Sequence, residues 1–254
     1  IKPYLSRLNR GELFALMTAG MATIAGTMLA LEASVIANVV PDAVGHLISA
    51  SLITLPGVIY ISHLLVPDRS EVTSGEGEID GGAEDLMDAI STGTTNGLQL
   101  FLNIIAMIIV IVALVYLVNA TLGVLPHVDG SAITLERVLG LMMAPLTIMM
   151  GVPWQESLIA GQLMGTKVVL TEFVAYVRLG QIPLEELSER TRIIMTYALC
   201  GFANFVSLGI MITGLVTLVP ERRAEIVALG SKSLIAGTIS TCTTATLVGM
   251  IFVI

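Results

Sequence analysis

The chain has 254 residues, 55% of them hydrophobic and only 13% charged, about half the charge of an average soluble domain. With a mean hydropathy of +0.90, this composition excludes an ordinary soluble globule and marks a membrane protein. The formal net charge of −8 comes largely from Asp68 to Asp88, which holds eight acidic residues and one arginine, so the excess marks a loop and argues against nucleic acid as a partner.

Five charge-free runs reach the roughly 20 residues needed to cross a hydrocarbon core: Leu13 to Leu31, Ala43 to Pro67, Ala89 to Val128, Ile193 to Pro220 and Ser233 to Ile254. They predict an all-α polytopic membrane protein with about five spanning helices. The opening "IKPYLSRLNR" starts on Ile1 and is no signal peptide, so the chain reads as the carboxy-terminal part of something longer. In the first span, Gly20 and Gly26 disfavour an uninterrupted helix, while Thr18, Thr23 and Thr27 offer hydroxyls to backbone groups freed by a break. The second span carries Pro56 as a kink, and the two together form a unit over residues 1–67.

Residues 68–97 are expected to be an acidic, glycine-rich loop followed by an interfacial helix in "AEDLMDAISTG". The uniformly apolar stretch 98–123 reads as a scaffold helix. Between 133 and 192 the apolar pieces are short and interrupted by Pro, Gly, Lys167 and Glu172, which predicts an interfacial helix and then a re-entrant hairpin with its tip near Leu170 to Glu172. Such irregular backbone is tolerated at membrane depth only beside protein or a watery cavity. The unit 193–254 holds a span with polar residues in its middle, Asn204 and Ser207, and a last span whose small and hydroxyl residues suit close packing. Cys200 and Cys242 have no CxxC spacing or nearby His, so buried thiols are expected, with no disulfide or zinc site.

An intramembrane carboxylate costs at least about 2.5–3.5 kcal/mol and marks a functional site by default, which singles out Glu172. The bland alternative pairs it with Lys167. Asn204 and Ser207, three apart, share a helix face if the backbone is regular and could equally be an interhelical contact. A short hairpin followed by a broken span is the layout of a midplane site in secondary transporters; Thr23 and Ile24, in the broken first span, are the corresponding feature of a preceding repeat. A hydroxyl and an unwound carbonyl are hard oxygen ligands suited to a small cation. His46, His63 and His127 form no HExxH or Ser-His pattern, so the chain is not read as an enzyme.

"KPYLSRLNRGELFALMTAGMATIAGTMLA", "HLISASLITLPG", "GVPWQESLIAGQLMGTKVVLTEFVAY" and "ALCGFANFVSLG" together resemble the carboxy-terminal two-thirds of the concentrative nucleoside transporter family. The resemblance implies an inverted-repeat fold with broken helices, a homotrimer in the lipid bilayer, and multi-pass insertion in a plasma membrane, here a bacterial inner membrane. It implies that Glu172, Asn204 and Ser207 bind the ribose of a nucleoside, that Phe202 shapes the pocket, that Met28 lies near the base, and that Thr23 and Ile24 help ligate Na+ as coupling ion. The family commonly has Asn where Thr171 stands, and its first hairpin would lie before Ile1. The expected function is sodium-coupled nucleoside symport by alternating access. Rival readings are a proton-coupled relative, an intramembrane enzyme and an inert helical bundle.

Overall fold

The computed structural model describes residues 2–73, 85–126 and 132–252, and every regular element among them is helical. The order is α1 (Lys2–Leu5), α2 (Arg10–Ala22), α3 (Gly26–Ile36), α4 (Ala43–Leu65), α5 (Leu86–Leu122), α6 (Leu135–Met149), α7 (Ser157–Val169), α8 (Glu172–Gln181), α9 (Glu189–Leu199), α10 (Phe205–Leu218), a 3-10 turn at Pro220–Arg222, and α11 (Arg223–Ile251).

Among the described residues four stretches are long and apolar enough to cross a membrane: Arg10–Ile36, Ala43–Leu65, Leu86–Leu122 and Pro220–Ile251. The expected fifth, Ile193 to Pro220, consists of two helices, α9 with 11 residues and α10 with 14. At 1.5 Å per residue each is about 17–21 Å long, short of a hydrocarbon core about 30 Å thick. Pro56 lies inside α4 without ending it.

A difference from the sequence reading concerns α5. The segment expected to be a separate interfacial helix is the first three turns of one 37-residue helix. Asp85 caps its start by accepting from Asp88 N at 2.7 Å, and Thr94 and Thr95 return their hydroxyls to the Ile90 and Ser91 carbonyls, so nothing stops the helix at Gly97. Of the acidic loop, residues 74–84 lie outside the described residues. Asp68 accepts from Ser70 and from Gly11 N at the head of α2, and these donors, the Ser70 hydroxyl first, hold its carboxyl down to about 2.

The centre of the bundle is α11, which packs against α2, α4, α9 and α10. Lipid tails are as apolar as leucine, so helices associate through close packing and interhelical hydrogen bonds. The residues of α11 fit that rule. A Cβ at Gly237 would come 2.6 Å from Met21 Cβ, and one at Gly249 would come 2.5 Å from the Met150 carbonyl oxygen. Thr244 shares a 2.9 Å hydrogen bond with Thr54 of α4. The α6 and α7 helices close on one another in the same way, since a Cβ at Gly161 or Gly165 would collide with the carbonyls of Gly140 and Glu136.

Candidate functional site

Two interruptions of helix lie against each other in the bundle. In the first, α2 ends at Ala22, and Thr23 turns to extended backbone with φ −110° and ψ 170°. The Thr23 N–H and hydroxyl both donate to the Ala19 carbonyl, at 3.1 and 2.8 Å, which leaves the hydroxyl oxygen as an acceptor. The next helix, α3, begins after Ala25 with no side-chain cap. Among the described residues the Ile24 carbonyl receives no backbone hydrogen bond.

In the second interruption α9 stops at Leu199 and α10 resumes at Phe205. Gly201 has φ +117°, a left-handed value that a side chain would strain. A Cβ there would also come within 2.6 Å of the Ala22 carbonyl oxygen. Beside it Ala203 and Met21 pack in one buried cluster. The second break is thus seated on the end of the first.

Glu172 is the first residue of α8 and only 3% exposed. The turn before it is short: α7 ends at Val169, and the Thr171 hydroxyl caps α8 by accepting from Val174 N at 3.3 Å. The Glu172 carboxylate accepts from Asn204 Nδ2 at 2.7 Å, and Asn204 is itself the N-cap of α10, its Oδ1 accepting from Ser207 N at 2.6 Å. Two helix N-termini, each carrying partial positive charge, therefore meet around one carboxylate. A carboxylate has about four acceptor positions, so the Asn204 bond leaves others for hydroxyl donors. Tyr176, one turn further along α8, fixes this helix to α9 by donating to the Thr196 carbonyl at 2.6 Å.

The structure therefore brings Glu172, Asn204 and Ser207 together, though by a cap rather than a regular helix face. Phe202 and Met28 are half-buried, the first in the second break and the second in the opening turn of α3. Lys167 takes a role the sequence did not suggest. Its buried ammonium donates to the Ala198 carbonyl at 2.8 Å and to Thr241 Oγ1 at 3.3 Å. Carbonyls in the last turn of a helix lack intrahelical partners, so Lys167 closes the cut end of α9.

Glu32 is the residue the sequence reading passed over, because it stands just past the charge-free run of the first span. It is 0% exposed, and neither carboxylate oxygen has a hydrogen-bond partner. Both Glu172 and Lys167 lie within electrostatic reach of it. Arg192 is also buried and donates to the carbonyls of Leu179, Ile182, Pro183 and Leu187, stapling the turn between α8 and α9. Cys200 and Cys242 are free and buried, as expected. His46 bonds Tyr197 Oη at 3.0 Å and His63 the Ile59 carbonyl at 2.9 Å; His127 lies outside the described residues. Among the described residues no cluster of three metal-ligating side chains occurs.

Residues 46–249 match the family model described as the Na+ dependent nucleoside transporter C-terminus. The chain belongs to the concentrative nucleoside transporter family. Its relatives in that family include the nucleoside permease NupC of Helicobacter pylori, 37% identical over 255 residues covering 98% of this chain and 60% of NupC. The mouse sodium/nucleoside cotransporter 1 is 33% identical over 272 residues, covering all of this chain and 41% of that protein. Among solved structures, a CNTnw variant in an outward-facing state is 34% identical, with a TM-score of 0.84 over 98% of this chain and 60% of that one. CNTnw in an inward-facing substrate-bound state is 35% identical, with a TM-score of 0.76 over 98% and 59%. The chain thus spans about three-fifths of NupC and of CNTnw, and less of the mouse cotransporter. These family members are permeases and cotransporters, which sets aside the intramembrane-enzyme reading. Like them, the protein is embedded in a membrane and crosses it several times.

Proposed function

We propose that the protein carries out sodium-coupled nucleoside uptake by alternating access. The observation that supports this most is the Glu172–Asn204 pair, buried where the N-termini of α8 and α10 converge, in a chain of this family. In this reading the ionised Glu172 accepts the protons of two vicinal ribose hydroxyls, while the second Asn204 N–H and the Ser207 hydroxyl complete the hydrogen bonding. Phe202 bounds the pocket and Met28 faces the base. A site built to bond hydroxyls rejects analogues that lack them, because its own buried polar groups are left unpaired.

Sodium would be held by the Thr23 hydroxyl and the Ile24 carbonyl, with further ligands from outside this chain's first break. The reading treats α7 and α8 as a re-entrant hairpin that moves with α9, α10 and α11, and α5 as part of a fixed scaffold at the centre of a homotrimer. The sparse burial of α5, where Val115 alone is buried, is in keeping with a helix that meets other copies or lipid. Uridine uptake into proteoliposomes tests the coupling. At fixed pH an inward sodium gradient is expected to stimulate uptake over a matched potassium gradient, and equal rates would refute sodium coupling. A pH gradient imposed without sodium tests the proton-coupled alternative in the same vesicles.

A further inference from the structure

Two buried carboxylates and one buried ammonium lie within electrostatic reach of one another where α3 packs against α8: Glu32 on α3, Glu172 on α8 and Lys167 on α7. With all three ionised the group carries a net negative charge, tolerable while water reaches the open site and costly once that water is displaced. The local surroundings decide which carboxylate gives way. Glu172 stands at a helix N-terminus and accepts from Asn204, and both features favour its ionised form. Glu32 stands in the middle of α3, away from either helix end, with both oxygens unpartnered.

We propose that Glu32 is a proton-binding site of the transport unit, taking up one proton as nucleoside binds at Glu172. This rests on the nucleoside reading of Glu172 and adds a ligand to it. Nucleoside displaces water from around Glu172 while its ribose hydroxyls keep that carboxylate ionised, so the charge acts on Glu32 through a lower dielectric and favours a neutral Glu32. The proton comes from water on the side to which the site is open and leaves with the nucleoside, so it is carried beside sodium and not in its place. By linkage, nucleoside binding and Glu32 protonation strengthen each other by the same factor. Glu32 lies eight residues along the chain from Ile24, about 12 Å along a helix, so this site is separate from the ligands suggested for sodium.

The other titratable groups around α3 are accounted for. From α8 come Glu172, Tyr176 and Arg178, whose guanidinium donates to Thr166; Tyr176 donates to Thr196. From α4 come His46, engaged by Tyr197, with Tyr60 and His63 exposed towards the other end. Lys167 is tied to Ala198 and Thr241, and Cys200 is buried at the end of α9.

Calorimetric titration of the purified protein with uridine, in two buffers of different ionisation enthalpy, counts the protons taken up on binding. The wild type is expected to take up a substantial fraction of one proton, and its uridine affinity to fall several-fold between pH 6 and pH 8. Glu32→Gln, a neutral isostere, should bind uridine with neither effect. A wild type that binds uridine without proton uptake overturns the inference alone and requires no folded variant. The same proton count in Glu32→Gln overturns it as well, and a sodium dependence that moves with Glu32→Gln while the proton count stays would assign the residue to a metal cation instead. If neither uridine nor adenosine binds the wild type, the nucleoside reading falls and takes this inference with it.

Discussion

The two helix breaks differ in how their freed backbone groups are satisfied. At the second break the chain supplies nearly everything itself: Gly201 makes the turn, Lys167 closes the end of α9 and Asn204 caps the start of α10. At the first break only Thr23 folds back, onto Ala19, while Ala25 offers no side-chain cap and the Ile24 carbonyl receives no backbone bond among the described residues. Buried backbone groups are almost always paired. The second break is therefore a finished structural element, whereas the first leaves the Ile24 carbonyl without a backbone partner, which suits the sodium role proposed for it.

If that contrast is right, substitutions at the second break should damage folding and those at the first should damage ion dependence. The largest effect is expected at Gly201. Valine there combines a strained left-handed backbone with a clash against Ala22, costing about 3 kcal/mol or more, and little folded protein should survive detergent extraction and size-exclusion chromatography. Lys167→Met comes next. It strips the Ala198 carbonyl of its donor, a loss of about 1–3 kcal/mol, and should lower the melting temperature clearly without changing the secondary structure seen by circular dichroism.

Asn204→Ala should be milder for stability, about 1 kcal/mol for a lost cap, but it also removes the Glu172 contact, so uridine binding should weaken by roughly tenfold or more. The smallest stability change is expected for Thr23→Val, where the melting temperature stays near that of the wild type while the sodium concentration for half-maximal uptake rises several-fold. A Thr23→Val protein that melts early with unchanged sodium dependence would reverse the contrast between the breaks.

Much of this was legible in sequence because polar residues in apolar runs have few explanations. Glu172, Asn204 and Thr23 each stood out for that reason, and Gly and Pro marked where helices stop. The continuity of α5 was not legible, since a Thr-rich, Gly-containing entry looks like a boundary until its hydroxyls are seen returning to their own helix. Nor was the pairing of Lys167, because a lysine five residues from a glutamate suggests an ion pair, while its true acceptor lies 31 residues away at a cut helix end. Glu32 was hidden by its position at the edge of a span, where a charge normally reaches water. Only the packing of α3 against α8 and α4 buries it.

Uridine binding by Glu172→Gln is the sharpest check on the proposal that Glu172 grips the substrate's ribose. The substitution keeps the size of the side chain and an acceptor but removes the charge, so the expected variant is a folded protein of near-normal melting temperature whose uridine affinity falls roughly 10- to 100-fold. Binding and uptake at wild-type levels in that variant would mean that Glu172 does not hold the ribose.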